Sequence, residues 1–255
     1  MMRRMMLMLL LAASWMGLQA AVTVEKTYML KDFTGLKVSC DITLHYTQGN
    51  TYEVRITTDE RKLDKLVVEV QGTDLVVGYK PKTNLRGNME DTHLYLTCPK
   101  MERIVNSGVC SFTTEGFKAD RLQIKASGAT TLQLGTVHSQ TVDVTNSGAT
   151  KMYGTLVAQQ VDMGNSGATN GELKVEADYF ELGNSGATNM TFGFKGKRID
   201  VGCSGAGNVS LEVDCQELKA KNSGVASMVI TGSADEVKID GSGVSRINIK
   251  GLNKY

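Results

Sequence analysis

The chain carries no excess of charge of either sign. Lysine and arginine number 28 and aspartate and glutamate 27 in 255 residues. Nothing in that balance marks it for nucleic acid or an anionic membrane surface. Histidine is scarce: His45, His93 and His138 stand far apart, and no cysteine falls at metal-ligand spacing beside them, so no metal site is expected. The cysteines are Cys40, Cys98, Cys110, Cys203 and Cys215, with no Cys-x-x-Cys pair. Their odd number leaves at least one without an intramolecular partner. A Cys40–Cys98 bridge is an expectation only, since both lie in the amino-terminal segment. Trp15 is the only tryptophan. No glycine-rich loop feeds a helix, so neither a phosphate cradle nor a cofactor is expected. No apolar stripe at helical spacing runs through the second half of the chain.

What the sequence has instead is a repeat. Ser-Gly recurs at Ser107-Gly108, Ser127-Gly128, Ser147-Gly148, Ser166-Gly167, Ser185-Gly186, Ser204-Gly205, Ser223-Gly224 and Ser242-Gly243, spaced 20, 20, 19, 19, 19, 19 and 19 residues apart. A period near twenty marks a solenoid, in which each supersecondary unit stacks on the next. Aligned on the serine, five columns are mostly apolar: five and three residues before it, and two, five and seven after it. Val142, Val144, Ala149, Met152 and Gly154 show one copy. The step of two within each run is strand periodicity. The expected fold is all-β, a single-stranded parallel β-helix of about eight coils. A rod on the order of 40 Å follows from the strand spacing. A right-handed winding is expected because parallel crossovers run that way. The glycine is expected at positive φ in a sharp corner. Small residues eight before the serine, such as Ala158, Ala177 and Gly196, mark a second corner. Cys203 and Cys215 fall in small-residue columns and read as buried small hydrophobes.

Two columns suggest surfaces. Asn106, Asn146, Asn165, Asn184 and Asn222 precede the serine. They read as a structural amide ladder along the stack. Thr130, Thr150, Thr169 and Thr188 follow the alanine, with Thr131, Lys151, Asn170 and Asn189 next to them. These four threonines read as an exposed polar strip, the candidate binding surface. Lys151 and the asparagines break the flat threonine grid that ice binding would use. For catalysis the nearest candidates are Asp143, Asp162 and Asp200, four before the serine, and Asp240, two before it, with Glu181 between. Asp143 with Asp162, and Asp162 with Glu181, would be neighbours on adjacent coils. No nucleophile–base arrangement accompanies them, so they read as a solvated face and no enzymatic activity is expected.

The ends complete the organisation. Arg3 and Arg4, the apolar run from Met5, and small residues at Gln19-Ala20-Ala21 read as a cleaved signal peptide over residues 1–20. Export follows, with no membrane span left after cleavage. Residues 21–100 lack Ser-Gly copies but alternate as strands, for example over Leu36–Leu44, Tyr52–Ile56 and Leu66–Val70. They are expected to cap the β-helix of residues 101–255 and to share its core, because an open terminal coil exposes unpaired backbone.

The Asn-Ser-Gly-Ala-Thr frame, the strand exit Leu96-Thr97-Cys98-Pro99 and the opening Phe33-Thr34-Gly35-Leu36-Lys37-Val38-Ser39 resemble the auto-transporter adhesin head GIN domain family, over roughly Phe33 to Ile249. The resemblance implies a single-stranded β-helix with Ser-Gly turns, a role in adhesion and a place in the periplasm or at the cell surface of a Gram-negative bacterium, and it carries over no catalytic residue. Two departures are the lack of a translocator segment and the presence of Cys40 and Cys203 at or beside turn positions. The leading expectation is therefore an exported binding or adhesion module without catalysis. Its expected partners are a glycan or a host or cell-surface protein, and homo-oligomers are possible. A polysaccharide lyase or hydrolase and a self-associating envelope protein are the alternatives.

Overall fold

A computed structural model describes residues 22–83, 91–242 and 246–254. The signal-peptide segment and Gly243 lie outside the described residues. The elements are β1 (Thr23–Tyr28), β2 (Gly35–Val38), β3 (Ile42–Gln48), β4 (Glu53–Asp59), α1 (Glu60–Leu63), β5 (Leu66–Gln71), β6 (Asp74–Tyr79), β7 (His93–Cys98), β8 (Arg103–Asn106), β9 (Val109–Thr113), β10 (Gly116–Ala126), β11 (Ala129–Asn146), β12 (Ala149–Asn165), β13 (Ala168–Asn184), β14 (Ala187–Cys203), β15 (Ala206–Asn222), β16 (Val225–Gly241) and β17 (Arg246–Lys254). All the strands join one hydrogen-bonded sheet, and from β8 onward like strand lies on like strand in parallel. The fold is the parallel β-solenoid that the repeat implies.

An odd period of 19 is awkward for strands, whose side chains alternate in steps of two. In β13 the buried residues are Thr169, Leu173, Val175 and Ala177, then Phe180, Leu182 and Asn184, and the next coil resumes inside at Thr188. Two corners interrupt the alternation, and the odd step of the two absorbs the odd count. One is a step of three at Ala177 to Phe180, where the ladder lapses between Ala177↔Gly196 and Tyr179↔Arg198. The other is a step of four across Ser185-Gly186. The coils that are one residue longer carry the extra residue at a glycine bulge. Gly116 and Gly135 there have φ of 141° and 57°. Where β11 meets the shorter β12, the register slips between Gln133 and Thr136. The change of spacing from 20 to 19 is thus a bulge gained or lost.

The same parity corrects two expectations. The column two after the serine points outward, so Ala129, Ala149, Ala168, Ala187 and Ala206 are exposed. The column three after it points inward, and Thr130, Thr150, Thr169 and Thr188 are 4%, 2%, 1% and 0% exposed. Alternation carried back from the buried positions five and seven after the serine demands this phase. The described Ser-Gly glycines are also not in the left-handed region; the positive-φ glycines are others, among them Gly116, Gly135 and Gly171. Glycine is required at the corner for closeness: a Cβ on Gly148, Gly167, Gly186, Gly205 or Gly224 would land on the carbonyl oxygen of the glycine one coil below.

The amino-terminal segment contributes more than a cap. β6 and β7 form one parallel row, β2 and β3 the next, and β8 and β9 lie on them. Val38 is level with Asn106 and Ile42 with Cys110, so Ser39-Cys40-Asp41 occupies the place of Ser107-Gly108-Val109. This turn carries cysteine in place of glycine, and the row beneath leaves the stack after Tyr79. The capping itself is antiparallel: β5 on β6, β4 on β7 and β1 on β4. The core then runs without a break from Phe33 and Leu36 through Phe112, Phe180 and Phe192 to Ile230. All five cysteines are free and buried. Cys98 pairs with Gln48 at the far end of β3 from Cys40. That separation, about 20 Å along β3 alone at strand rise, excludes the Cys40–Cys98 bridge.

Candidate binding face

The Ser-Gly corners line up along one edge of the stack, and the described serines are exposed. Each backbone N–H of Ser127, Ser166, Ser185 and Ser204 donates to the asparagine carbonyl of the coil below at 2.8–2.9 Å. Their hydroxyls reach the same carbonyls only at 3.4–3.5 Å. Those hydroxyls are weakly engaged and face solvent.

Behind the edge, Asn106, Asn146 and Asn184 bond the buried threonines, whereas the buried Asn165 side chain has no hydrogen-bond partner. The Nδ2 of Asn146 donates to Thr169 Oγ1 at 2.6 Å, and the hydroxyls of Thr150 and Thr188 donate to Asn146 and Asn184 Oδ1 at 2.5 Å. The expected asparagine ladder is therefore a buried asparagine–threonine network at Asn106, Asn146 and Asn184, interrupted at Asn165, while Asn222 donates to the Ala226 carbonyl. It fixes the corner, and the four threonines do not reach a ligand.

The two flanks of the edge differ. One flank holds the carboxylates. Asp143, Asp162, Glu181 and Asp200 are successive neighbours across β11 to β14, continued by Lys219 and Lys238. Asp240 is off this row, opposite Lys221. Most of these groups are already engaged. Gln160 Nε2 donates to Asp162 at 2.8 Å, Tyr179 Oη to Glu181 at 3.1 Å, and Arg198 Nη2 to Asp200 at 2.7 Å. Lys219 and Arg198 both pair with Glu217. Burial alone would raise Asp200, but Arg198, Lys219 and Tyr179 outweigh it and hold the carboxyl below its ordinary value. Tyr179 is pushed up to about 12 by burial and by Glu181 and Asp200. This is a surface ion lattice. Among the described residues no cluster of metal-ligating side chains is found.

The other flank is nearly uncharged. Its floor is the outward alanine column, Ala129 to Ala206, with Val109 and Val225 at its ends, 56% and 71% exposed. Beside it runs a polar column in strict register: Thr43, Ser111, Thr131, Lys151, Asn170, Asn189, Asn208 and Ser227. Asn189 Nδ2 donates to Asn170 Oδ1 at 3.5 Å and Asn208 Nδ2 to Asn189 Oδ1 at 3.1 Å. The first part of this flank is a shallow groove of about 420 Å³ lined from Asp41 and Thr43 to Ala168 and Asn170. Farther out come Tyr153 and Val229, 43% and 38% exposed. At its amino-terminal end His45 stacks on Tyr95 with centroids 4.9 Å apart, and Arg55 lies 4.2 Å over the other face of Tyr95. Sequence reasoning missed this face by one residue. The signal lay in the column beside the threonines.

The fold recurs in solved structures. A putative adhesin from Bacteroides fragilis superposes with a TM-score of 0.65 at 18% identity, covering 89% of this chain and 97% of that one. A putative lipid binding protein from Parabacteroides distasonis gives 0.71 at 16% identity, covering 89% and 96%. A putative adhesin from the same species gives 0.61 at 20% identity, covering 92% and 97%. No curated protein matches the chain in sequence. The model of one family matches residues 32–192 and 178–254. With that match over most of its length, the chain belongs to the family described as "Putative auto-transporter adhesin, head GIN domain".

Proposed function

We propose that the protein is an exported, non-enzymatic adhesion module that meets its partner through the alanine-floored flank. One observation carries this reading. Of seven large hydrophobic side chains exposed among the described residues, Val109, Tyr153, Val225 and Val229 lie on this one flank. Singly exposed hydrophobes are ordinary, but their gathering on one face marks an interaction surface. The uncharged, regularly spaced hydrogen-bonding groups beside them supply the polar contacts that such a surface needs. The family's name and the leader-like amino terminus support an adhesive role outside the cytoplasm. The opposite flank is less suited, because its charged groups already satisfy one another.

Adhesion of purified protein to bacterial and epithelial cell surfaces tests the proposal. Binding is expected for the native chain and is expected to fall when Ala168→Arg or Ala187→Arg fills the floor. Blank results in both a cell-adhesion assay and a glycan array would remove the proposal.

A further inference from the structure

The chemistry of the flank points to a linear, uncharged glycan as its ligand, laid along the stack with about one sugar ring per coil. This inference rests on the binding-face reading above. Three properties of the flank select that class.

The first is charge. From Val109 through Val229, the columns two, four and six after each serine carry only Lys151 and Glu172 as ionised groups. An anionic or cationic polymer finds no complementary row here, whereas the other flank has a row of carboxylates that continues into Lys219 and Lys238.

The second is the kind of hydrogen bond on offer. Asn170, Asn189 and Asn208 each carry both donors and acceptors, and the ladder between them uses one of each. The edge serines likewise have hydroxyls held at only 3.4–3.5 Å. Apart from Lys151, which only donates, every coil therefore offers a donor and an acceptor on both sides of the floor. A hydroxyl is the group that uses both at once. Phosphate or carboxylate would use donors alone, and an acyl chain would use neither.

The third is shape. The floor between those two polar rows is methyl groups, with no side chain larger than alanine from Ala129 to Ala206. A pyranose ring has the matching form, an apolar C–H face edged with hydroxyls. Successive coils rise by about 4.8 Å, close to the advance of one sugar in an extended chain. Val109 and Val225 stand six coil steps apart and bound the floor at both ends. The run between them, on the order of 29 Å by that rise, accommodates about six rings.

The test is titration calorimetry of the native protein with neutral β-1,4-linked oligomers of glucose, xylose and N-acetylglucosamine, from two to eight units. In at least one series the affinity is expected to tighten about tenfold between two and six units and then level. Ala187→Arg should abolish it and Asn189→Ala should weaken it. Gly183→Arg, on the charged flank where a Cβ meets only ordinary contact, should leave it unchanged. Absence of binding in all three series, affinity independent of length, or loss on Gly183→Arg would overturn the glycan. The two readings fail separately. If Ala187→Arg abolishes cell adhesion while no oligomer binds, the face is adhesive and the glycan is overturned. If Ala187→Arg leaves adhesion intact, the face itself is wrong.

Discussion

Gly186 sits directly over Gly167, and the carbonyl oxygen of Gly167 fills the place where a Cβ on Gly186 would stand. The same relation links Gly148 to Gly128, Gly167 to Gly148, Gly205 to Gly186 and Gly224 to Gly205. Gly186→Ala should therefore destabilise already, by about 1–3 kcal/mol as overpacked sites do, and Gly186→Val by at least as much. Gly183, three residues earlier, has an open outward position. There Gly183→Ala should be neutral or stabilise slightly, by up to about 1 kcal/mol. Urea unfolding of the two alanine variants compares them. Equal midpoints would mean that the corners do not stack as closely as described.

The buried threonines predict a loss of stability with no loss of binding. Thr169 Oγ1 accepts from Asn146 Nδ2, and Thr150 donates to the same asparagine's Oδ1. Thr169→Val keeps the shape but leaves a buried amide N–H without that partner, at a cost of about 1–3 kcal/mol. The folded variant should bind cells as the native chain does. Weakened adhesion at unchanged stability would return the threonines to the surface.

Most of the fold is legible in the sequence because a stacked coil repeats one local solution, and the repeat prints it. The serine positions alone fix the period, the parallel register and the edge. What escaped has local causes. The inward phase is set by where the step of three falls and by the step of four across Ser-Gly, and the apolar but outward alanines imitate a core column. Alanine is small enough to be tolerated on either face, whereas threonine three after the serine is inward because Asn146 or Asn184 bonds it there. Cys40 reads from the sequence as lying at or beside a turn, but its place on the serine–glycine edge does not show there because cysteine replaces glycine. The order of the amino-terminal rows was hidden because β2 and β3 are placed between β6–β7 and β8–β9, against their order in the chain.

Asp74 ties three of those rows together. It lies in β6, and its Oδ2 receives Lys37 of β2 at 2.6 Å and Arg103 of β8 at 2.5 Å. It passes over Gly35, where a Cβ would strike its other carboxylate oxygen. The carboxyl is buried, but Lys37 and Arg103 side chains are 40% and 36% exposed. Solvent screening then limits the contribution, and Asp74→Ala should cost about 1–2 kcal/mol, less than a fully buried pair. Part of that cost should vanish in molar salt. A salt-independent loss would assign the effect to packing over Gly35 instead.

Acid should weaken the amino-terminal rows. Burial, and then the neighbouring His93, hold the His45 imidazole below its ordinary value of 6.5. Tyr95 stacks on His45 from β7, with Arg55 beyond it and Thr113 level with it on β9. A histidine whose folded value is depressed binds fewer protons folded than unfolded. Its contribution is complete above pH 6.5 and is lost as pH falls through and below that value. The melting temperature should decline from pH 7 toward 5, and His45→Gln should flatten that decline. Asp200 and Glu217, held low by Arg198 and Lys219, add a second decline below the ordinary carboxylate range. An identical profile in the native chain and His45→Gln would show that the ring stack does not titrate with folding.

The cysteines should behave as small hydrophobes even in an oxidising compartment. Burial pushes the thiols of Cys40 and Cys110 up to about 12, and those of Cys98, Cys203 and Cys215 to about 11. The reactive species is the thiolate, and at pH 8 these sites hold almost none of it. Access is closed as well, since all five side chains face the core. Geometry bars the pairing that the sequence suggested, because β3 separates Cys40 from Cys98. Folded protein should therefore react with a thiol reagent only at the rate of unfolding. The unreduced chain in denaturant should release five thiols, the number in the sequence. Three thiols would reveal a disulfide and require a local rearrangement of the coils. Rapid labelling of folded protein would show that the wall of the stack opens, and the turn at Cys40, where glycine is replaced, would be the place to map it.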